Sequence, residues 1–200
     1  MTAYYYQGSP ILAPLTIVSN QPMFTADTVS LKQIRTAQNA QRWELSFEVL
    51  TNDKAADQLL ASVSGLASSS SIIMPQLKEV DDKRTITGVF TANGAITAGA
   101  STIPLALATG AGFLPKGSFV RFANHTKVYL LKTDWDASTT VSGPVEVYPT
   151  LRTSVPSGTQ FLYGSNCTLT QFRSIDDQRG ITFQDGILAS PGPINLIEAI

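Results

Sequence analysis

Residues 42–49, Arg-Trp-Glu-Leu-Ser-Phe-Glu-Val, put Trp43, Leu45, Phe47 and Val49 on every second position, with Glu44, Ser46 and Glu48 between them. Successive side chains of an extended chain point to opposite faces, so this pattern buries one face of a strand and leaves the other wet. A helix would scatter the same four apolar residues around its circumference. Val29 and Leu31 alternate with polar residues in the same way, and Thr36–Gln41 supplies a polar turn before Trp43. Alternation returns at 167–175 (Cys-Thr-Leu-Thr-Gln-Phe-Arg-Ser-Ile), at 181–184 and in the apolar tail 194–200. A terminus of that character is expected to be tied into a sheet.

The period changes once. Ala56, Leu59, Leu60, Val63 and Leu66 fall at helical spacing, and Asn52 or Asp53 is placed to cap the first turn. This predicts one short helix, about 53–64, ended by Gly65 and a loop of serines. The first 25 residues carry Pro10, Pro14 and Pro22. Proline interrupts regular structure, so they are expected to form an extended arm packed on their own domain or on a neighbouring subunit.

From Thr85 to Phe122 the chain is rich in Gly, Ala and Thr and nearly free of charge. The β-formers Ile86, Val89, Phe90, Ile96, Ile103, Leu105 and Leu107 argue for short strands rather than a flexible linker. Further strands are expected at 118–123, 127–134, 144–149 and 159–163. Five or six short strands suit a small closed barrel, which leaves no sheet edge exposed. The expected fold is therefore all-β with one short helix: a discontinuous β-sandwich or barrel domain from 1–82 and 166–200, interrupted by a barrel at 83–165. Such an insertion requires its two ends to lie close together.

Charge narrows the function. Only 14% of residues are charged, against an average of about 25%. Lys plus Arg total 14 and Asp plus Glu 15, and no basic cluster exceeds a dipeptide. Nucleic-acid recognition is not expected, because phosphate binding needs several basic contacts. A single cysteine, Cys167, allows neither an internal disulfide nor a cysteine-based zinc cage. No run approaches the roughly 20 apolar residues of a membrane helix, and the first residues lack the basic and apolar regions of a signal peptide. A soluble chain assembled in a reducing compartment is expected. The acceptor triplets at Asn124 and Asn166 are read as chance without a secretory signal.

No catalytic constellation or cofactor motif stands out. His125, the only histidine, lies in Asn-His-Thr between two strand-like runs and is expected to finish an exposed turn. A Gly-x-Ser-x-Gly elbow and a phosphate-binding glycine loop are both missing. Asp134 and Asp136 resemble the start of a calcium loop but lack its glycine and distal glutamate, so a solvated turn is expected. No metal or cofactor is expected.

The order of features resembles the distal tail protein family of long-tailed bacteriophages in its compact two-domain form. An Arg-Trp-Glu-Leu-Ser-Phe-Glu-Val-Leu strand leads into one helix, then Ile-Ile-Met-Pro-Gln-Leu, then a Gly/Thr-rich β-insert. Within the insert the resemblance rests on Lys116-Gly117, on Lys127-Val128-Tyr129, and on Tyr148-Pro149 with Leu151. The insert resembles the OB barrel that decorates that family. The resemblance implies a structural virion protein, not an enzyme. It would form a ring, typically a homohexamer, at the end of the tail tube, assembled in the host cytoplasm. Implied partners are the tail tube protein, the baseplate hub or tip protein, and in some cases side tail fibres. No membrane is implied. In a contractile tail the same fold would serve as a baseplate ring component. Ring subunits associate through heterologous contacts that close by rotation; Tyr4, Tyr5, Tyr6, Ile197 and Ile200 are the candidates. A rival from another class is an OB-type module for surface glycans, which would call for solvent-facing aromatics such as Tyr129 or Tyr148. A hydrolase built on His125 ranks last.

Overall fold

A computed structural model describes residues 5–6, 9–27, 33–37, 40–49, 70–75, 88–110, 112–137, 141–173, 182–184, 188–190 and 192–199 of the chain. The chain divides into two compact units. One comprises Met1–Ile72 with Thr170–Ile200, and the other Ile73–Leu169. The expected helix at 53–64 and the alternation at Val29 and Leu31 lie outside the described residues. Apart from one 3-10 turn at Gly164–Asn166, every described element is a strand.

The first unit opens with β1 (Tyr5–Tyr6), β2 (Ser9–Asn20), β3 (Met23–Asp27), β4 (Gln33–Ala37), β5 (Arg42–Val49) and β6 (Ser70–Ile73). The proline-rich arm is thus a 12-residue strand of its own sheet. The expectation that prolines would break it fails for a local reason. The ladder between β2 and β5 slips register between Leu12 and Thr16, and Pro14 falls in that irregularity. A bulge is a place where a residue without an N–H is tolerated. Pro22 falls between β2 and β3.

The second unit contributes β7 (Val89–Ala92), β8 (Thr102–Thr109), β9 (Phe113–Leu114), β10 (Phe119–Phe122), β11 (Val128–Leu131), β12 (Trp135–Asp136), β13 (Ser142–Tyr148) and β14 (Gln160–Tyr163). Six of these close a barrel in the order β10-β11-β13-β8-β7-β14, with every pairing antiparallel. The run β10-β11-β13 is a meander, and β13 comes back to lie beside the earlier β8, which is Greek-key order. The expected closed barrel is present, with one strand more than the OB fold. Alternation explains its core: Phe90 and Ala92, Ile103 and Leu105, Val120 and Phe122, Val145 and Val147 all point inward and are buried. Phe122 meets Phe161 edge-on at 5.2 Å, and Phe90 lies 5.2 Å from Trp135. β9 and β12 form a separate short ribbon that carries Leu114 and Trp135 into the same core.

The chain then returns through β15 (Thr168–Arg173), β16 (Thr182–Gln184), β17 (Leu188–Ser190) and β18 (Pro193–Glu198). The first unit's main sheet has the order β1-β2-β5-β18-β15-β6. The apolar C-terminal segment is therefore an interior strand. Leu45 faces Leu196 and Phe47 faces Ile194 across the ladder, all buried. Glu198 shares this buried face, and its Oε2 accepts the Trp43 N–H at 3.1 Å, extending the ladder beyond the last backbone pair. β3 and β4 form a hairpin of their own, as do β16 and β17. The ends of the inserted unit are held side by side by Met74 N–H donating to Cys167 O at 2.9 Å.

Candidate functional site

His125 sits in the turn joining β10 to β11, whose register pairs Arg121 with Val128. It is half-buried, not exposed as expected. Its Nδ1 lies 2.9 Å from Asn124 Oδ1 and its Nε2 3.0 Å from the Tyr129 hydroxyl. That hydroxyl also accepts the Arg152 N–H at 3.2 Å, and Asn124 Nδ2 donates to Ser154 O at 3.1 Å. Desolvation lowers the His125 pKa from its ordinary 6.5, and the cations Arg121 and Lys127 lower it further. The ring is therefore held neutral with both nitrogens engaged. Nucleophilic catalysis needs a hydroxyl or thiol beside the base and a carboxylate behind it. Here the hydroxyl belongs to a fully buried tyrosine and an amide stands where the carboxylate would be.

The positions that carry the family resemblance fall into two groups. Lys116 and Gly117 form the turn before β10. Lys116 N–H donates to Asp134 Oδ1 at 2.7 Å, and Gly117 N–H to Leu131 O at 2.8 Å. Asp134 is thus a cap on a neighbouring turn, and Asp136 belongs to β12. Lys127, Val128 and Tyr129 are all buried, Lys127 at 3% exposure. Tyr148 is half-buried at the end of β13, and Pro149, joined to it by a cis peptide, is buried. With no exposed surface, Tyr129 offers no face on which a sugar could stack.

The interface candidates are more dispersed. Tyr5 and Tyr6 form β1 at the sheet edge, paired with Pro10 and Ser9. Tyr4 and Ile200 lie outside the described residues. Ile197 is on the outward face of β18, in one register row with Glu44 of β5 and Val18 of β2. Val18, Glu44, Ser46, Asn195 and Ile197 line a shallow hollow of about 390 Å³ on that face. Glu44 Oε1 accepts from Asn20 Nδ2 at 2.8 Å. The pattern of 42–49 pointed to this face as the wet one, but it did not show that Val18 and Ile197 flank Glu44.

The β3–β4 hairpin was not singled out by sequence. Every residue of β3 is exposed, including Met23 at 55% and Phe24 at 65%. The signal was present in the apolar pair Met23-Phe24 directly after Pro22.

No family model matches the chain, and no curated protein matches it in sequence. Among the described residues no three His, Cys, Asp or Glu side chains gather so as to hold a metal ion, and no helix is long and apolar enough to cross a membrane.

Proposed function

We propose that this chain is a structural subunit of a phage virion. It closes into a ring, a hexamer by resemblance, at the distal end of the tail tube and connects the tube to the baseplate hub or tip. The phage assignment rests on the sequence resemblance alone. In a contractile tail the same subunit would be a baseplate ring component. It turns over no substrate, and it resides in the virion after assembly in the host cytoplasm.

The observation that carries the assembly reading is the β3–β4 hairpin. A two-stranded hairpin is marginal in water unless something packs against it. Here β3 is wholly exposed and presents Met23 and Phe24. A neighbouring subunit would cover them, and the hollow around Glu44 on the main sheet is a second surface for a heterologous contact.

Light scattering after size-exclusion chromatography tests this. The expected mass is near six times the 21.4 kDa of the chain. Phe24→Ser should keep its circular dichroism spectrum, because exposed substitutions shift stability by only about 0.5 kcal/mol, and should run as a monomer. A wild-type mass of 21.4 kDa at every concentration would overturn the reading. So would a Phe24→Ser ring indistinguishable from wild type.

A further inference from the structure

The contacts of His125 fix the direction of the hydrogen bonds its two ring nitrogens make. Asn124 turns its Nδ2 to Ser154 O, so its Oδ1 faces the imidazole. An amide oxygen only accepts, which puts the ring proton on Nδ1. Nε2 then carries a lone pair and accepts from the Tyr129 hydroxyl. The hydroxyl oxygen in turn accepts from Arg152 N–H. The turn at 123–127 is thereby tied to the 152–154 loop at two points, one through Asn124 and one through Tyr129. Both ties pass through partners that His125 orients.

We propose that His125 is an acid-operated latch: neutral, it accepts from the Tyr129 hydroxyl and so leaves that oxygen to hold the Arg152 amide of the 152–154 loop, and protonated it releases that amide while the Asn124–Ser154 tie stays. A proton on Nε2 turns that nitrogen from acceptor to donor. The Tyr129 hydrogen must then leave it, and Nε2–H and Arg152 N–H converge on one hydroxyl oxygen. The surroundings oppose the new charge. Burial desolvates the ring, and the cations Arg121 on β10 and Lys127 just before β11 add to that effect. Tyr129, from β11, meets it edge-on at 5.7 Å, and Phe122 of β10 packs at 5.9 Å. The loop presents the backbone amide of Arg152 to the Tyr129 hydroxyl. The latch does not depend on the assembly reading.

The sign follows from the lowered pKa. The closed state prefers the neutral ring, so the tie is fully present above 6.5 and is lost as pH falls through the closed-state pKa. Nitrogen-15 NMR of the intact chain tests it. At about pH 7.5 the imidazole should show the Nδ1–H tautomer and a protected Arg152 amide. Corrected for intrinsic exchange, that protection should fall below pH 6.5 by at most about tenfold per pH unit, then level off. The Leu131 amide, bonded to Ser118 O inside the barrel, should not follow. Tyr129→Phe should leave Arg152 unprotected at neutral pH. His125→Gln, which keeps a neutral acceptor, should keep the protection and lose its pH response. An Nε2–H tautomer, flat Arg152 protection down to about pH 5, parallel loss at Leu131, or an unchanged pH response in His125→Gln would each overturn the latch.

Discussion

Gly117 shows how much one residue can fix. Its φ of 85° is in the left-handed region, and its N–H reaches Leu131 O across the barrel end. A side chain with a Cβ meets the following carbonyl there, at a cost of about 1–2 kcal/mol. Gly117→Ala should therefore lower the unfolding free energy by that amount, read in equilibrium unfolding as a lower urea midpoint with an unchanged denaturant slope. In the sequence, Lys116-Gly117 stood out only as part of a family pattern. The backbone supplies its physical reason, a turn that Asp134 caps from 18 residues away. His125 was legible as a turn residue, since Asn-His-Thr breaks two alternating runs. Its burial and its partners were not. Tyr129 belongs to the next strand, and Arg152 and Ser154 come from a loop that sequence spacing does not connect to the turn.

At the scale of elements, the period-two runs were the most readable part of the chain. The burial along β5, with Trp43, Leu45, Phe47 and Val49 inside, follows the alternation residue by residue. The barrel strands near 119, 128, 142 and 160 were visible for the same reason, although β11 ends at Leu131 where a longer run was expected. The proline-rich arm was misread. Proline content reports which N–H groups are missing, whereas strand formation depends on where the ladder needs them; here a bulge absorbs Pro14. β14 closes the barrel by pairing with both β10 and β7, and Phe161 carries its inward contact with Phe122. Phe161→Ala removes a fully buried ring at that seam, and such truncations cost about 3–5 kcal/mol. Chemical denaturation followed through Trp135 fluorescence in a Trp43→Phe background should show a loss of that size. A loss below about 1 kcal/mol would mean the seam holds without its ring.

For the whole molecule, the closed barrel lies in a compact unit at Ile73–Leu169, while the sequence reading had placed an inserted barrel at 83–165. The boundary was hard to place from sequence because β6 and β15 run through it. Each contributes residues to both units while remaining a continuous strand. What such an architecture does is decided by its surfaces, since one fold hosts many functions. On the reading developed above, those surfaces are the exposed hairpin at Met23 and Phe24 and the outward sheet face around Glu44. Under the proposed function they would join like subunits into a ring at the tail end. Gold-labelled antibody against this protein, applied to intact virions and viewed by electron microscopy, tests that claim most directly. The account predicts label confined to the distal tip of the tail. Virions without the protein, or label on the capsid or along the tail shaft, would contradict it.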